Sequence, residues 1–214
     1  MVRPVRFRMN EQTAVNNFFQ EDLELRNSEI NRQAQEEFDG FVEKLRAEGV
    51  SVIVVEDRLE MDTPDSIFPN NWVSFHQDGT VVVYPMYAEN RRRERREDIF
   101  EILEERGFVI LQIIYYTGAE LDGLFLEGTG SMVLDRVNRI AYACLSSRTY
   151  LDVLGEFAQR MNYDVVAFEA VDREGVPIYH TNVLMNVGEK LAVICDAAIT
   201  RDDQRKAVLE RLQS

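Results

Sequence analysis

Three short stretches carry polar side chains capable of chemistry at corresponding points of the chain. They are Phe68-Pro69-Asn70-Asn71, Phe125-Leu126-Glu127-Gly128-Thr129-Gly130 and Tyr179-His180-Thr181-Asn182, and each leads into a predicted β-hairpin. Asn71 lies eight residues before Gly79, and His180 lies eight before Gly188. Glu127 sits further from its turn, with Gly128 and Gly130 absorbing the extra length as a bulge would. An imidazole titrates near neutral pH, and a carboxylate beside it fixes its tautomer or binds a cation. Glu127 and His180 are therefore the leading acid–base pair. A lone histidine entering a strand is more often structural, and the recurrence of the position is what argues for function. Arg91 and Arg148 follow the first and second hairpins at equivalent corners, where an arginine fork suits bidentate carboxylate binding; the alternative is an ordinary surface arginine. His76 has no such support; it precedes the Asp78-Gly79 turn and is expected to be exposed. Cys144 and Cys195 lie in apolar runs and read as core cysteines, small hydrophobes rather than nucleophiles.

The elements that must position these residues form a repeat: a helix, a buried strand, then a hairpin. The first helix is expected over about residues 29–48, with Ile30, Ala34, Phe38, Phe41, Val42 and Leu45 on one face and Gly49 as its stop. Val50–Val55 reads as its strand, and Trp72–Phe75 with Val81–Tyr84 as a hairpin turning at Asp78-Gly79. The unit restarts with a helix at 98–106, a strand at 108–116 and a hairpin from 131–134 and 139–145. A third copy has a helix at 149–161, a strand at 165–171 and a hairpin from 183–185 and 191–195. A helix from Thr200 then carries Val208, Leu209 and Leu212. Strand starts near 50, 108 and 164 give a period of roughly 55 residues, which implies a solenoid or a closed ring in which equivalent positions face one axis. The pattern stops in mid-unit, so the chain reads as one domain, 1–214, that lacks its last repeat; a simple capping helix is the alternative. An incomplete ring would expose apolar surface, which favours self-association into a homo-oligomer.

Composition narrows the partners. The 214 residues are 45% hydrophobic and 29% charged, with a formal net charge of -14. Such an acidic chain is repelled by nucleic acid and by anionic membranes. The run Arg91–Arg96 is the one basic stretch, and it reads as the solvated start of a helix. Two cysteines and no leader-like segment suggest a reducing, cytoplasmic setting. The two histidines, His76 and His180, match no metal-ligand spacing, so no metal is expected.

Taken together, Asp65-Ser66-Ile67-Phe68-Pro69-Asn70-Asn71-Trp72, Phe125 to Met132, Ser146-Ser147-Arg148-Thr149 and Ile178 to Asn182 resemble the amidinotransferase superfamily. These are the guanidino-group-modifying enzymes, such as arginine deiminase and dimethylarginine dimethylaminohydrolase. The branch of citrulline-utilisation hydrolases is the nearest in pattern. Met1-Val2-Arg3-Pro4, Asn16-Asn17-Phe18-Phe19-Gln20 and Asn90-Arg91-Arg92 fit it as well. The resemblance implies an α/β fold, the five-repeat α/β-propeller called a pentein, here about one repeat short. It implies covalent thiol catalysis on an amino-acid substrate, with no cofactor. By resemblance, Glu127 holds the terminal group of the substrate and His180 is the general acid/base. Asp65 contacts its amino-acid end, and Arg91 and Arg148 grip its carboxylate. Two departures matter. Asn71, and in the dimethylarginine enzyme also Asn70, stand where the guanidino enzymes have acids, which favours a neutral ureido group over a guanidinium. Asn182 stands where deiminases have an aspartate, which weakens orientation of the imidazole. The family nucleophile is a cysteine in the last repeat, and neither Cys144 nor Cys195 matches it. The resemblance thus implies a C–N hydrolase acting on citrulline, with an arginine or methylarginine hydrolase and a non-catalytic amino-acid-binding protein as the other two readings.

Overall fold

A computed structural model describes residues 1–17, 20 and 26–213 and falls into two compact units, Met1–Pro69 with Ala88–Leu111, and Asn70–Tyr87 with Gln112–Ser214. Phe18 and Phe19 of the resembling motif lie outside the described residues. In chain order the first elements are β1 (Val2–Arg3), α1 (Glu11–Ala14), α2 (Asn27–Ala47), β2 (Val55–Glu56), β3 (Val73–Phe75) and β4 (Thr80–Val83). Then come α3 (Glu89–Arg92), α4 (Asp98–Glu105), β5 (Gln112–Tyr115), α5 (Gly128–Ser131), β6 (Met132–Asp135) and β7 (Ile140–Cys144). The last are α6 (Leu151–Met161), β8 (Asp164–Phe168), β9 (Met185–Val187), β10 (Ala192–Ile194) and α7 (Asp202–Gln213).

The first unit carries β1, β2 and α1 to α4. Helix α2 buries Phe38 and Val42, while Phe41 is half exposed. Positions 38 and 42 share one stripe of a 3.6-residue helix, and 41 falls on its border. Gly49 then takes φ +82°, a left-handed stop. The strand expected over Val50–Val55 is much shorter. Only Val55 and Glu56 pair, in parallel with Val2 and Arg3, because β1 offers a two-residue template. The basic run is not the solvated helix start the sequence suggests. Arg91 and Arg96 are buried because each fork has its own acceptors. Arg91 donates through Nε and Nη2 to Glu94, both at 2.9 Å. Arg96 takes Asp98 at 3.1 and 2.7 Å and the Glu56 carbonyl at 2.6 Å.

The second unit contains the repeat in its clearest form. Strands β3 and β4 form an antiparallel hairpin, and β5 adds to β4 in parallel. Strands β6, β7 and β8 repeat that arrangement. A third hairpin, β9–β10, pairs Met185 with Ile194. Gly79 turns the first hairpin at φ +78°, and the Thr80 N–H is held by the Asp78 carboxylate. Val82, Ile114, Leu126, Met132, Leu154 and Phe157 meet in one core, where each large side chain contributes about 1.5–3 kcal/mol on burial. The second predicted strand, 108–116, pairs only over Gln112–Tyr115, where β4 lies alongside; Phe108, Val109 and Leu111 stay exposed. Cys144 is buried as expected, but Cys195 is exposed, just beyond a two-stranded ladder whose outer residues face solvent. Among the described residues no helix is long and apolar enough to cross a membrane, and no group of side chains is arranged to hold a metal ion.

His76 also departs from expectation: it is buried, not exposed. Its Nε2 lies 2.9 Å from Ser74 Oγ, which lies 2.7 Å from the Tyr84 hydroxyl, and Arg136 Nη1 lies 3.4 Å from its Nδ1. An arginine can only donate, so Nδ1 accepts and Nε2–H donates to Ser74. Burial, reinforced by the Arg136 cation, pulls the His76 pKa down from 6.5 to about 4. The unfolded chain therefore binds more protons between those values. The stabilisation is complete above pH 6.5 and is lost as the pH falls towards 4. Urea unfolding at successive pH values should show this slope, and His76→Gln should flatten it; an unchanged slope in the variant would assign the acid sensitivity elsewhere.

Candidate active site

Glu127 stands at the N-terminal end of the single turn α5, and the backbone fixes its place. Leu126 forms an isolated bridge with Thr149. The Glu127 N–H is shared between the Arg148 carbonyl at 3.2 Å and Ser131 Oγ at 2.9 Å. Ser131 Oγ in turn donates to the Arg148 carbonyl at 2.7 Å. The same bridge thus delivers Arg148 to Glu127. His180 arrives from the next hairpin. Its neighbour Thr181 donates through Oγ1 to the Ser131 carbonyl at 2.5 Å and accepts the Cys144 N–H at 2.7 Å. Ser146 accepts the Arg148 N–H at 3.1 Å and donates to the Tyr179 carbonyl at 2.8 Å, which ties the two loops together.

The side chains meet in a dry cluster. Glu127 is 0% exposed, Arg148 1% and His180 5%, so their charges are set against one another and not against water. Glu127 Oε1 accepts the Tyr87 N–H at 3.0 Å. Its Oε2 lies 2.7 Å from His180 Nε2 and 3.5 Å from Arg148 Nη1. The Arg148 guanidinium lies over Tyr179 and Tyr87, with its carbon 4.6 and 5.8 Å from the ring centroids. A carboxylate at Nε2 makes that nitrogen the donor. Nδ1 is then the position of the neutral ring that takes a proton.

Asn71 joins the cluster through a gap left by glycine. A methyl group at Gly130 would collide with the Asn71 amide nitrogen and would lie 2.9 Å from both Cε1 and Nδ1 of His180. The amide and the imidazole therefore both crowd Gly130, leaving no room there for even one carbon. Gly128, at φ +45°, brings α5 against the Asn70 and Asn71 carbonyls in the same way. Thr129 Oγ1 donates to the Asn70 carbonyl at 3.3 Å, and the Asn70 side chain is half-buried. Asn182 is exposed, so the imidazole takes its orientation from Glu127. Cys144 is no nucleophile in this setting: burial pushes its thiol up to about 11, which keeps it protonated at neutral pH.

The first unit holds the other predicted residues in a network of its own. Asp65 Oδ2 accepts from Asn10 Nδ2 at 2.7 Å and lies 3.7 Å from Arg91 Nε. Arg91 Nη2 also reaches the Phe68 carbonyl at 3.3 Å, so this arginine braces the turn that carries Asp65. The Nε–Nη2 edge of Arg91 is engaged by Glu94 within the protein. Sequence reasoning assigned no role to Tyr87, Tyr179, Ser131, Ser146 or Thr181. They act through backbone groups and ring faces, which residue type alone does not signal.

The family described as N,N-dimethylarginine dimethylhydrolase, eukaryotic, matches residues 3–214. No curated protein matches the chain in sequence. Among solved structures, the arginine dihydrolase ArgZ from the ornithine–ammonia cycle in cyanobacteria is similar at 20% identity and a TM-score of 0.65. That alignment covers 85% of this chain and 27% of ArgZ. The N-terminal domain of ArgZ bound to substrate aligns with a TM-score of 0.66 at 20% identity, over 85% of this chain and 62% of that domain. A dimethylarginine dimethylaminohydrolase carrying a 4-chloro-2-hydroxymethylpyridine adduct aligns with a TM-score of 0.58 at 15% identity, over 82% and 65% of the two chains. At these identities the likeness carries the mixed α/β fold. The chain spans less than two thirds of each of these structures.

Proposed function

The chain belongs to the N,N-dimethylarginine dimethylhydrolase family, within the amidinotransferase superfamily of arginine-modifying hydrolases, and on that premise we propose that it serves hydrolysis of a terminal C–N bond in citrulline or a related ureido amino acid. The observation that carries this reading is the buried Glu127–His180 contact with the Asn71 amide beside it. An amide both donates and accepts, as a neutral ureido group requires, whereas a guanidinium calls for carboxylates. Glu127 and Asn71 hold the terminal group, and Asn70 lines the approach. The proposal includes the α/β-propeller arrangement, which the twice-repeated three-strand module supports.

The chemistry follows from the tautomer. A thiol gives its proton to Nδ1 of His180 as it adds to the ureido carbon, and the imidazolium passes that proton to the leaving nitrogen as the C–N bond breaks and ammonia departs. The imidazole then takes a proton from water as it attacks the carbon, and the thiolate leaves. In this reading the attacking thiol is not Cys144. Asp65 offers chemistry suited to the amino-acid end of the substrate: Oδ2 is bonded within the protein, while Oδ1 has no hydrogen-bond partner among the described residues and can meet an ammonium.

A guanidino substrate is the second reading, favoured by the family description and by the similarity to an arginine dihydrolase. Calorimetric titration with L-citrulline and L-arginine, run beside an ammonia assay at neutral pH, separates the two. Citrulline is expected to bind at least about tenfold more tightly, a difference of about 1.4 kcal/mol. Equal affinities, or a preference for arginine, would sink the ureido reading. Binding without ammonia release would support an amino-acid-binding protein, and release would direct mutation first to the exposed Cys195.

A further inference from the structure

The start of β4 and the end of α6 border a cavity of about 340 Å³ within the second unit, and its polar lining is Asp78, Thr80, Gln112, Arg139, Arg160 and Asn162. It is separate from the candidate active site. Strand β4 starts in the cavity at Thr80 and leads on to Tyr87, whose N–H meets Glu127. Strand β7 starts beside Arg139 and leads on towards Arg148. The cavity thus lies at the entry ends of these strands, and Glu127 lies beyond their exit ends. Two guanidinium groups without a carboxylate set it apart. The chain has 38 acidic residues against 24 basic ones, and Arg96, Arg201 and Arg211 each lie within 2.8 Å of a carboxylate. Arg139 and Arg160 form no ion pair among the described residues. The Arg139 guanidinium carbon lies 5.4 Å from the Tyr163 ring centroid, a contact that uses its face and leaves its N–H edge to other acceptors.

The backbone holds this lining in place. The Asp164 N–H donates to the Arg139 carbonyl at 2.7 Å and ties the β6–β7 turn to the chain leaving α6. Arg139 and Asn162 both take left-handed backbone, at φ +57° and +56°. Asn enters that region readily, whereas Arg does so at a cost, so the turn itself gives no reason for an arginine at 139. Arginine forks bind oxyanions through paired N–H groups, and a phosphate group has enough oxygens to meet two forks at once. The Asp78 carboxylate is engaged by the Thr80 N–H at 3.0 Å, and two guanidinium charges outweigh its one. We propose that this cavity is a binding site for a phosphate group, free or as a small monoester, held by Arg139 and Arg160. The site is independent of the ureido reading.

The chain's two histidines report on the two places separately. His76 backs onto the cavity, with its N–H on the Thr80 carbonyl at 2.9 Å and its carbonyl on the Gly79 N–H at 3.0 Å, while His180 belongs to the candidate active site. Inorganic phosphate is titrated into the chain while the histidine ring resonances are followed, with sodium chloride at equal ionic strength as the reference. The His76 resonances should shift saturably with a dissociation constant on the order of 1 mM, and those of His180 should stay in place. Arg139→Gly removes the fork and suits the left-handed backbone, and Arg160→Ala removes an exposed side chain. Each should weaken binding about tenfold or more. Arg173→Ala, an exposed arginine elsewhere, should not. Asp78→Asn should tighten binding, because it removes a like charge and keeps an acceptor for Thr80. Phosphate should raise the melting temperature of wild type but not that of the Arg139→Gly, Arg160→Ala double variant. Phenyl phosphate, titrated in parallel, assigns the site to a monoester if it binds more tightly and to free phosphate if it does not. No saturable shift at His76 overturns the proposal. So does a shift centred on His180, or binding by Arg139→Gly and Arg160→Ala as tight as by wild type.

Discussion

Glu127→Gln is expected to lower folding stability by about 3–5 kcal/mol, because it takes the buried negative charge away from the Arg148 cation in a site with almost no water. The carboxylate is wholly buried, and three protein groups converge on it, the Tyr87 N–H, His180 Nε2 and Arg148 Nη1. Glutamine has nearly the same shape, so little cavity is created and the loss is electrostatic. For a chain of this size that corresponds to a drop in melting temperature of roughly 6–20 °C. The damage should be partly reversed when the Arg148 charge is also removed. Glu127→Gln with Arg148→Met should be more stable than Glu127→Gln alone, since a buried pair replaced as a unit costs less than a pair broken on one side. Urea unfolding of the two single variants and the double variant measures the coupling. A Glu127→Gln variant within about 0.5 kcal/mol of wild type would mean that the three contacts do not bear on the fold.

The features legible in the sequence were those with a local cause. The Asp78-Gly79 turn, the stop at Gly49 and the apolar stripe through Phe38 and Val42 each follow from backbone rules acting over a few residues. The pairing of Glu127 with His180 was legible for a different reason: recurrence of position in a repeat predicts that two residues 53 apart meet, and Glu127 Oε2 does meet His180 Nε2. What stayed hidden depended on tertiary partners. Val50–Val55 and 108–116 look like full strands, yet they pair only where β1 and β4 run beside them. Arg91 and Arg148 read as carboxylate forks or surface arginines and Arg96 as part of a solvated run; all three are buried, Arg91 and Arg96 on the nearby Glu94 and Asp98 and Arg148 on the distant Glu127. His76 is hidden because, beside its near neighbour Ser74, Tyr84 and Arg136 supply its cover from elsewhere in the chain. Polar residues with distant partners are thus where a single sequence is least informative, and in this chain they are also the residues that make the candidate site.

Gly130→Ala should damage the site far more than the fold. Gly130 has no left-handed backbone to lose, so the penalty comes only from the added carbon. That carbon would collide with the Asn71 amide nitrogen and press on Cε1 and Nδ1 of His180 at 2.9 Å. Both neighbours are side-chain ends, which can yield at a cost of about 1–3 kcal/mol. As they yield, the amide moves away from the imidazole. A displacement near 1 Å in such a constellation lowers activity about 100-fold. L-Citrulline affinity should therefore fall sharply, and the His180 ring resonances should shift, while the chain still unfolds cooperatively. Gly128→Ala should behave in the opposite order. There the backbone is at φ +45° and the obstacles are the Asn70 and Asn71 carbonyls, so stability fails first. Gly155→Ala, in the middle of α6 with nothing within 4 Å, is the control and should stabilise by roughly 0.5–1 kcal/mol. If Gly130→Ala keeps wild-type citrulline affinity and unshifted His180 resonances, the packing of Asn71 and His180 around Gly130 is not what shapes the pocket, and the preference for a ureido group must be sought in other residues.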